Sequence, residues 1–214
     1  MRNYSRAIKR PFVSEHFWKL ILRSLIPIYN IAVYGYIYEC ATNVMRGQYE
    51  LPDWKTKGWF GYIANMLKIF VFVILGPLLF YIWIPLLIFL IVSYIFPENP
   101  YLNPLNLAVL GIIGLIFIYY IYILPGILIE YTRNWDDSNV NYGDVRKKAF
   151  TWNYFKTYFV MSVYVGFVSA LFGLLMFIPF TSFLFQGPLI IITNIPFLTA
   201  FAETLYPAKI KSPS

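Results

Sequence analysis

Four stretches of this chain contain no Asp, Glu, Lys or Arg: residues 24–38, 69–96, 105–129 and 157–202. A helix needs ~20 apolar residues to cross ~30 Å of hydrocarbon. The second and third stretches each suffice for one crossing. The fourth suffices for two, with a break around residues 178–182. The first is too short unless it takes in Lys19 and Arg23 at one end or Glu39 at the other. Hydrophobic residues make up 59% of the chain and charged residues 13%, where soluble domains carry about a quarter. A soluble fold of 214 residues could not hide so much apolar surface. The expected class is therefore all-α: an integral membrane helical bundle forming a single multi-pass domain over residues 1–214.

Residues 17–45 decide the topology. If the first run, residues 24–38, crosses once, the cations before it (Arg2, Arg6, Lys9, Arg10, Lys19, Arg23) are separated by the membrane from Arg46, Lys55, Lys57, the cluster Arg146-Lys147-Lys148, Lys209 and Lys211. If residues 17–45 re-enter or form a short hairpin turning near Pro27-Ile28-Tyr29-Asn30, all 17 Lys and Arg residues fall on one side. The positive-inside rule favours the hairpin, and a turn at membrane depth must then be covered by protein. The expected architecture is an N-terminal helical hairpin, two spanning helices and a C-terminal helical hairpin, with both termini cytoplasmic. The loop "PENPYLNP", residues 97–104, is the only one on the far side. The N-terminus lacks a short apolar core with a small-residue cleavage site, so no removed signal peptide is expected, and no lipidation signal is present.

A possible internal repeat accompanies this layout. "AIKRPFVSEHFWK" from Ala7 and "VRKKAFTWNYFKT" from Val145 align without gaps, matching Lys9 with Lys147, Arg10 with Lys148, Phe12 with Phe150 and Phe17 with Phe155. Duplication and converging juxtamembrane composition both explain it.

Catalytic apparatus is thin. One cysteine and one histidine make a zinc site or a Cys/His pair unexpected. There is no G-x-S-x-G, H-E-x-x-H or P-loop. No enzyme activity, cofactor or metal is expected. The net charge of +7 points to anionic lipid headgroups. Nucleic acid is not expected, because the aromatics lie in the apolar runs.

Glu39, Glu130 and Glu203 each close an apolar run. A carboxylate at a helix C-terminus is disfavoured by the dipole, which calls for a cationic partner; Arg46, Arg133 and Lys209 are nearest in sequence. Pairing is the favoured reading, and a proton, ion or substrate role is the other. Prolines interrupt the apolar runs, Pro77, Pro125 and Pro188 among them. Simple kinking is favoured over site-lining, with Gln186-Gly187-Pro188 and Asn194 the places to look for a site. Ser162, Gly166 and Ala170 form a small-residue face for helix packing, within the bundle or against a partner helix. Arg146-Lys147-Lys148 is placed to meet lipid headgroups. Asp136-Asp137 reads as a solvated turn.

The segment "GYIYECATNVMRGQYELPDWKTKGWFGYI" carries Gly35-Tyr36, Arg46-Gly47, Leu51-Pro52-x-Trp54 and Gly61 ahead of a long apolar run. This resembles the signature of the DUF4013 (domain of unknown function) proteins, with the looser likeness running from Phe12 to about Tyr206. The resemblance implies a multi-pass protein of prokaryotic membranes and brings no activity, cofactor or catalytic residue. Pro52 biases Leu51 towards an extended shape, so Leu51 and Trp54 are expected to dip into the membrane interface while Asp53 and Lys55 stay wet. The loop then serves as a rigid anchor or as a docking site. The leading functional expectation is a non-catalytic membrane interaction or scaffold protein, with a membrane protein or a second copy as partner. The runner-up is a small transporter or transporter subunit.

Overall fold

The computed structural model describes residues 4–95, 104–133, 140–175 and 181–207. The regular elements among those residues are all helical, with no strand. The helices are α1 (Tyr4–Val13), α2 (Phe17–Ser24), α3 (Pro27–Met45), α4 (Gly58–Ile69), α5 (Gly76–Ile95), α6 (Pro104–Arg133), α7 (Tyr142–Ala149), α8 (Trp152–Leu175) and α9 (Thr181–Leu205). A 3₁₀ turn, Trp54–Thr56, precedes α4, and a π segment, Phe70–Leu75, joins α4 to α5. Loop residues 97–103, the residues 178–180 and the Asp136-Asp137 turn lie outside the described residues, as do Lys209 and Lys211.

Four helical segments are long and apolar enough to cross a membrane: Gly58–Leu75, Asn106–Arg133, Trp152–Leu174 and Phe185–Leu205. Of these windows, 72% of the last is buried inside the bundle, against 24%, 17% and 17% of the others. The centre is therefore α9 together with α3, in which every residue from Ala32 to Thr42 except Tyr34 is buried. The periphery is apolar and uncovered: Leu90 and Ile91 of α5, Leu115 and Ile118 of α6, and Phe159 and Phe167 of α8 are all more than half exposed. Water would penalise such a surface, and hydrocarbon would not.

Residues 17–45 form two helices of unequal length. The break falls at Leu25–Ile26 and not at 27–30, because Ile26 is extended (φ −93°, ψ 114°) and Pro27 opens α3. Proline is favoured at a first helical position, where its missing N–H has no partner to lose. The last apolar run divides between α8 and α9, with Thr181 and Ser182 already in the first turn of α9.

Residues 58–95 are helical throughout, with the π segment Phe70–Leu75 between the α-helical turns of α4 and α5. Pro77 has no N–H, so the Val73 carbonyl four residues earlier loses its α-helical donor. The backbone widens into π turns just there, and the Tyr120 hydroxyl of α6 donates to the Val73 carbonyl. The proline thus opens a polar group that a neighbouring helix uses.

Two glycines set the closest approaches. A Cβ on Gly35 of α3 would lie 1.9 Å from the Tyr62 carbonyl oxygen of α4, and one on Gly187 of α9 would lie 2.0 Å from the Ser24 carbonyl oxygen of α2. Both obstructions are backbone and do not swing aside. Gly187, flanked by Gln186 and Pro188, is thus a packing position. Gly35→Ala and Gly187→Ala are each expected to lower stability by at least ~1–3 kcal/mol through overpacking. Gly111→Ala, where nothing lies within 4 Å, should be neutral or stabilising by up to ~1 kcal/mol. Thermal unfolding of the three variants in one detergent checks this.

Candidate functional site at the basic end of the bundle

The loop after α3 is held from both sides. Gly47 adopts φ +82°, the left-handed conformation that ends a helix. Its N–H donates to the Val44 carbonyl at 2.9 Å, and the Gln48 N–H donates to the Asn43 carbonyl at 2.8 Å. The Tyr36 hydroxyl donates to the Pro52 carbonyl at 2.8 Å. The Lys55 N–H donates to Asp53 Oδ1 at 3.1 Å. That bond, helped by the charges of His16, Lys55 and Lys19, holds the exposed Asp53 carboxyl below its ordinary range. The Trp54 ring packs 5.3 Å from Tyr36 and 5.1 Å from Tyr62, and those two tyrosines lie 5.4 Å apart.

Leu51 and Trp54 are therefore buried inside the protein, at 3% and 8% exposure, and do not dip into the membrane interface. Gly35 explains the difference: it lets α4 approach until Tyr62 and Tyr36 close an aromatic pocket around Trp54. A Cβ on Gly61 would lie 3.1 Å from the Lys57 Cβ, so this glycine too packs against the loop's end. Gly35, Tyr36, Gly47, Leu51, Pro52, Trp54 and Gly61 thus fasten α3, the loop and α4 together. Arg46 is exposed at the end of α3.

Arg10 of α1 was not singled out in the sequence as a site residue, yet it is the most connected side chain at this end. It is buried to 7% exposure. Its Nε donates to the Tyr49 carbonyl at 2.7 Å, and Nη1 donates to the Cys40 carbonyl at 3.0 Å and to Thr199 Oγ1 at 2.8 Å. Nη2 donates to the Glu50 carbonyl at 3.3 Å. Burial pulls the guanidinium below its ordinary pKa, and Glu203 is among the groups that oppose the shift. The Tyr49 hydroxyl is pushed up, first by burial and then by Glu203, to which it hydrogen-bonds. Arg6 lies over the Tyr49 ring at 3.6 Å. The available signal was its place one turn from the end of an amphipathic helix; its partners are 30 to 189 residues away.

Glu130 and Glu203 sit in the final turns of α6 and α9, and Glu39 lies nearly two turns before the end of α3. Glu39 pairs with Lys57 of the following loop at 2.6 Å, and not with Arg46. Glu130 lies 3.8 Å from Arg133. Glu203 neighbours Arg10 and Tyr49. The C-terminal ends of these helices meet: Thr42 Oγ1 donates to the Thr132 carbonyl at 3.2 Å. A cavity of about 410 Å³ between them is lined by Arg46, Arg133 and Tyr206, among others. Arg133 and Lys148 both rest on the Tyr206 ring, at 4.4 and 3.9 Å.

The pattern Gly-x-x-x-Glu occurs in both α3 (Gly35, Glu39) and α6 (Gly126, Glu130). In each the glycine admits a tyrosine of a later helix. Beside Pro125, the Tyr154 hydroxyl enters the ladder of α6: the Gly126 N–H donates to it at 3.2 Å, and it donates to the Tyr122 carbonyl at 2.8 Å. The hydroxyl thereby bridges one helical hydrogen bond.

The remaining sequence candidates do not join this cluster in one site. Arg146 and Lys147 are exposed on α7. Ser162, Gly166 and Ala170 are exposed, and nothing lies within 4 Å of a Cβ at Gly166. Their face therefore does not pack within the chain. In the aligned segments Ala7 and Val145 are both buried, and Phe12 and Phe150 both exposed. Arg10 and Lys148 have different partners, and α2 is a third the length of α8. No three His, Cys, Asp or Glu side chains gather among the described residues.

Arg10→Met leaves three carbonyls and the Thr199 hydroxyl without their donor and removes the positive charge beside Glu203. It is expected to cost ~3–5 kcal/mol, as breaking a buried charge pair does. Arg10→Lys recovers only part of this, since one ammonium cannot reproduce the fork. Trp54→Ala should cost ~3–5 kcal/mol, and Trp152→Ala, at 74% exposure, under ~0.5 kcal/mol. Unfolding curves in detergent separate these cases.

Comparison with known proteins gives one match. No curated protein and no solved structure matches the chain. A family profile described as "Protein of unknown function (DUF4013)" matches residues 20–181. The match takes in the whole Gly35–Gly61 signature and stops short of Arg10, Thr199 and Glu203. It covers well over half of the chain, and the protein belongs to the DUF4013 family.

Proposed function

We propose that this protein is a non-catalytic integral membrane protein of a prokaryotic cytoplasmic membrane that acts as an interaction or scaffold protein. The observation that carries this reading is the use of the carboxylates. Glu39 and Glu130 have cationic partners within the chain, Lys57 and Arg133, and Glu203 sits beside the buried Arg10. Each carboxylate thus has a cation of the same chain beside it, while the outer faces of α5, α6 and α8 remain uncovered.

The hairpin topology draws support from the same contacts. Arg10 reaches Tyr49 and Glu50, Arg23 lies 5.4 Å from the Trp54 ring, and Lys57 reaches Glu39. Cations on both sides of residues 17–45 thus share one end of the bundle. By the positive-inside rule that end faces the cytoplasm, together with the N-terminus. Reporters fused at the N-terminus and in loop 46–57 should both report a cytoplasmic location; opposite locations would sink the hairpin.

A transporter is the second reading. The π segment before Pro77 and the opened α6 ladder at Gly126 are interruptions of the kind that line transport sites. Intact mass spectrometry of the complex gently purified from native membranes separates the two. A stoichiometric protein partner is the expected result; a lone chain holding a defined solute favours transport. Gly166→Leu, on the exposed face of α8, should weaken partner retention with folding intact. Glu39→Gln and Glu203→Gln should leave partner retention unchanged in any variant that folds.

A further inference from the structure

The groove between α1, α2 and the signature loop is a second feature of the basic end. A cavity of about 710 Å³ runs between α1 and residues 49–51, lined by Arg6, Lys9 and His16 with Glu15 and Glu50. It shares His16 with an adjoining cavity of about 210 Å³, lined by Lys19, Arg23 and Lys55 around Asp53. Even before His16 or Arg10 is counted, five cations (Arg6, Lys9, Lys19, Arg23, Lys55) face three carboxylates (Glu15, Glu50, Asp53) along the pair. Lys9, Lys19 and Lys55 are exposed.

Helix α2 has three distinct sectors. Phe17, Leu20 and Ser24 are buried against the bundle. Trp18 and Leu22, one turn apart, are 71% and 63% exposed. Lys19 and Arg23 form the third sector, about 100° further round, and face the smaller cavity. Val13, 79% exposed, follows Lys9 by one turn and borders the larger cavity. An apolar stripe thus runs directly beside a basic groove. Free phosphate needs only the groove. A ligand with a phosphate at one end and hydrocarbon at the other uses both.

We propose that this groove binds an anionic phospholipid, its phosphate headgroup held by Lys9, His16 and Lys19 and its acyl chains lying along Trp18 and Leu22. The site is distinct from the Arg146-Lys147-Lys148 cluster on α7, of which Arg146 and Lys147 are exposed. The inference rests on the bundle being embedded in a membrane, and is independent of whether it recruits a protein.

Native mass spectrometry of the purified full-length protein tests it. The protein is titrated with phosphatidylglycerol or with phosphatidylcholine of the same chains. One phosphatidylglycerol per chain should be retained in preference to phosphatidylcholine. Lys9→Gln with Lys19→Gln should weaken that retention about tenfold or more, since each basic residue near a headgroup contributes comparably. Arg146→Gln with Lys147→Gln should leave it unchanged. Trp18→Gln with Leu22→Gln should weaken it as well. Millimolar glycerol 3-phosphate should fail to displace the lipid; displacement would assign the groove to a soluble phosphate and overturn the lipid. Equal retention of the two lipids, an unaffected Lys9/Lys19 variant, or an equal loss from the α7 variant would also overturn it. All the substituted positions are exposed, so each variant should unfold at the wild-type temperature. A protein partner, if present, is read in the same spectra as a separate mass.

Discussion

The contact of Gly35 with the Tyr62 carbonyl is the spacing on which the rest of the basic end depends. A side chain there would separate α3 from α4. Because there is none, Tyr62 reaches Tyr36, and the two rings enclose Trp54. Trp54 fixes the loop, and the fixed loop presents its Tyr49 and Glu50 carbonyls to Arg10 and its Lys57 ammonium to Glu39. A missing methyl group thus determines where two charges on other elements find partners.

The second organising constraint is electrostatic. Three helices end close together, and their partial negative charges add. Placing Glu130 and Glu203 in those last turns, and Glu39 within two turns of the end of α3, compounds the repulsion. The chain answers with Lys57, Arg133 and Arg10 at the same end, and with Arg46 and Arg133 lining the cavity between the helix ends. In a low-dielectric bundle these ions are stabilised only if their partners are already in position. That explains why Arg10 is spent on four acceptors from the loop and from two other helices, α3 and α9, rather than on one carboxylate.

Proline and glycine act together in this fold. Pro77 frees the Val73 carbonyl for Tyr120, and the Pro125-Gly126 pair lets the Tyr154 hydroxyl enter the ladder of α6. In both places an interruption of one helix becomes an attachment point for another. Interhelical hydrogen bonds of this kind help hold helices together where hydrocarbon supplies no hydrophobic drive.

The charge-free runs by themselves determined that the chain is helical and apolar enough to cross a membrane, and roughly where each long helix lies. Length and hydropathy are local properties, so they survive reading in one dimension. The signature residues from Gly35 to Gly61 were legible as a family feature for the same reason. Tertiary structure alone decided that Leu51 and Trp54 face protein and not lipid, that Glu39 meets Lys57 and not Arg46, and that Arg10 is buried. Hydropathy measures transfer into an apolar medium and cannot distinguish a lipid tail from a neighbouring helix. A charged side chain's partner is set by which helices approach across many tens of residues, and that approach depends on atoms, such as the absent Cβ of Gly35, whose effect exists only once the helices are packed.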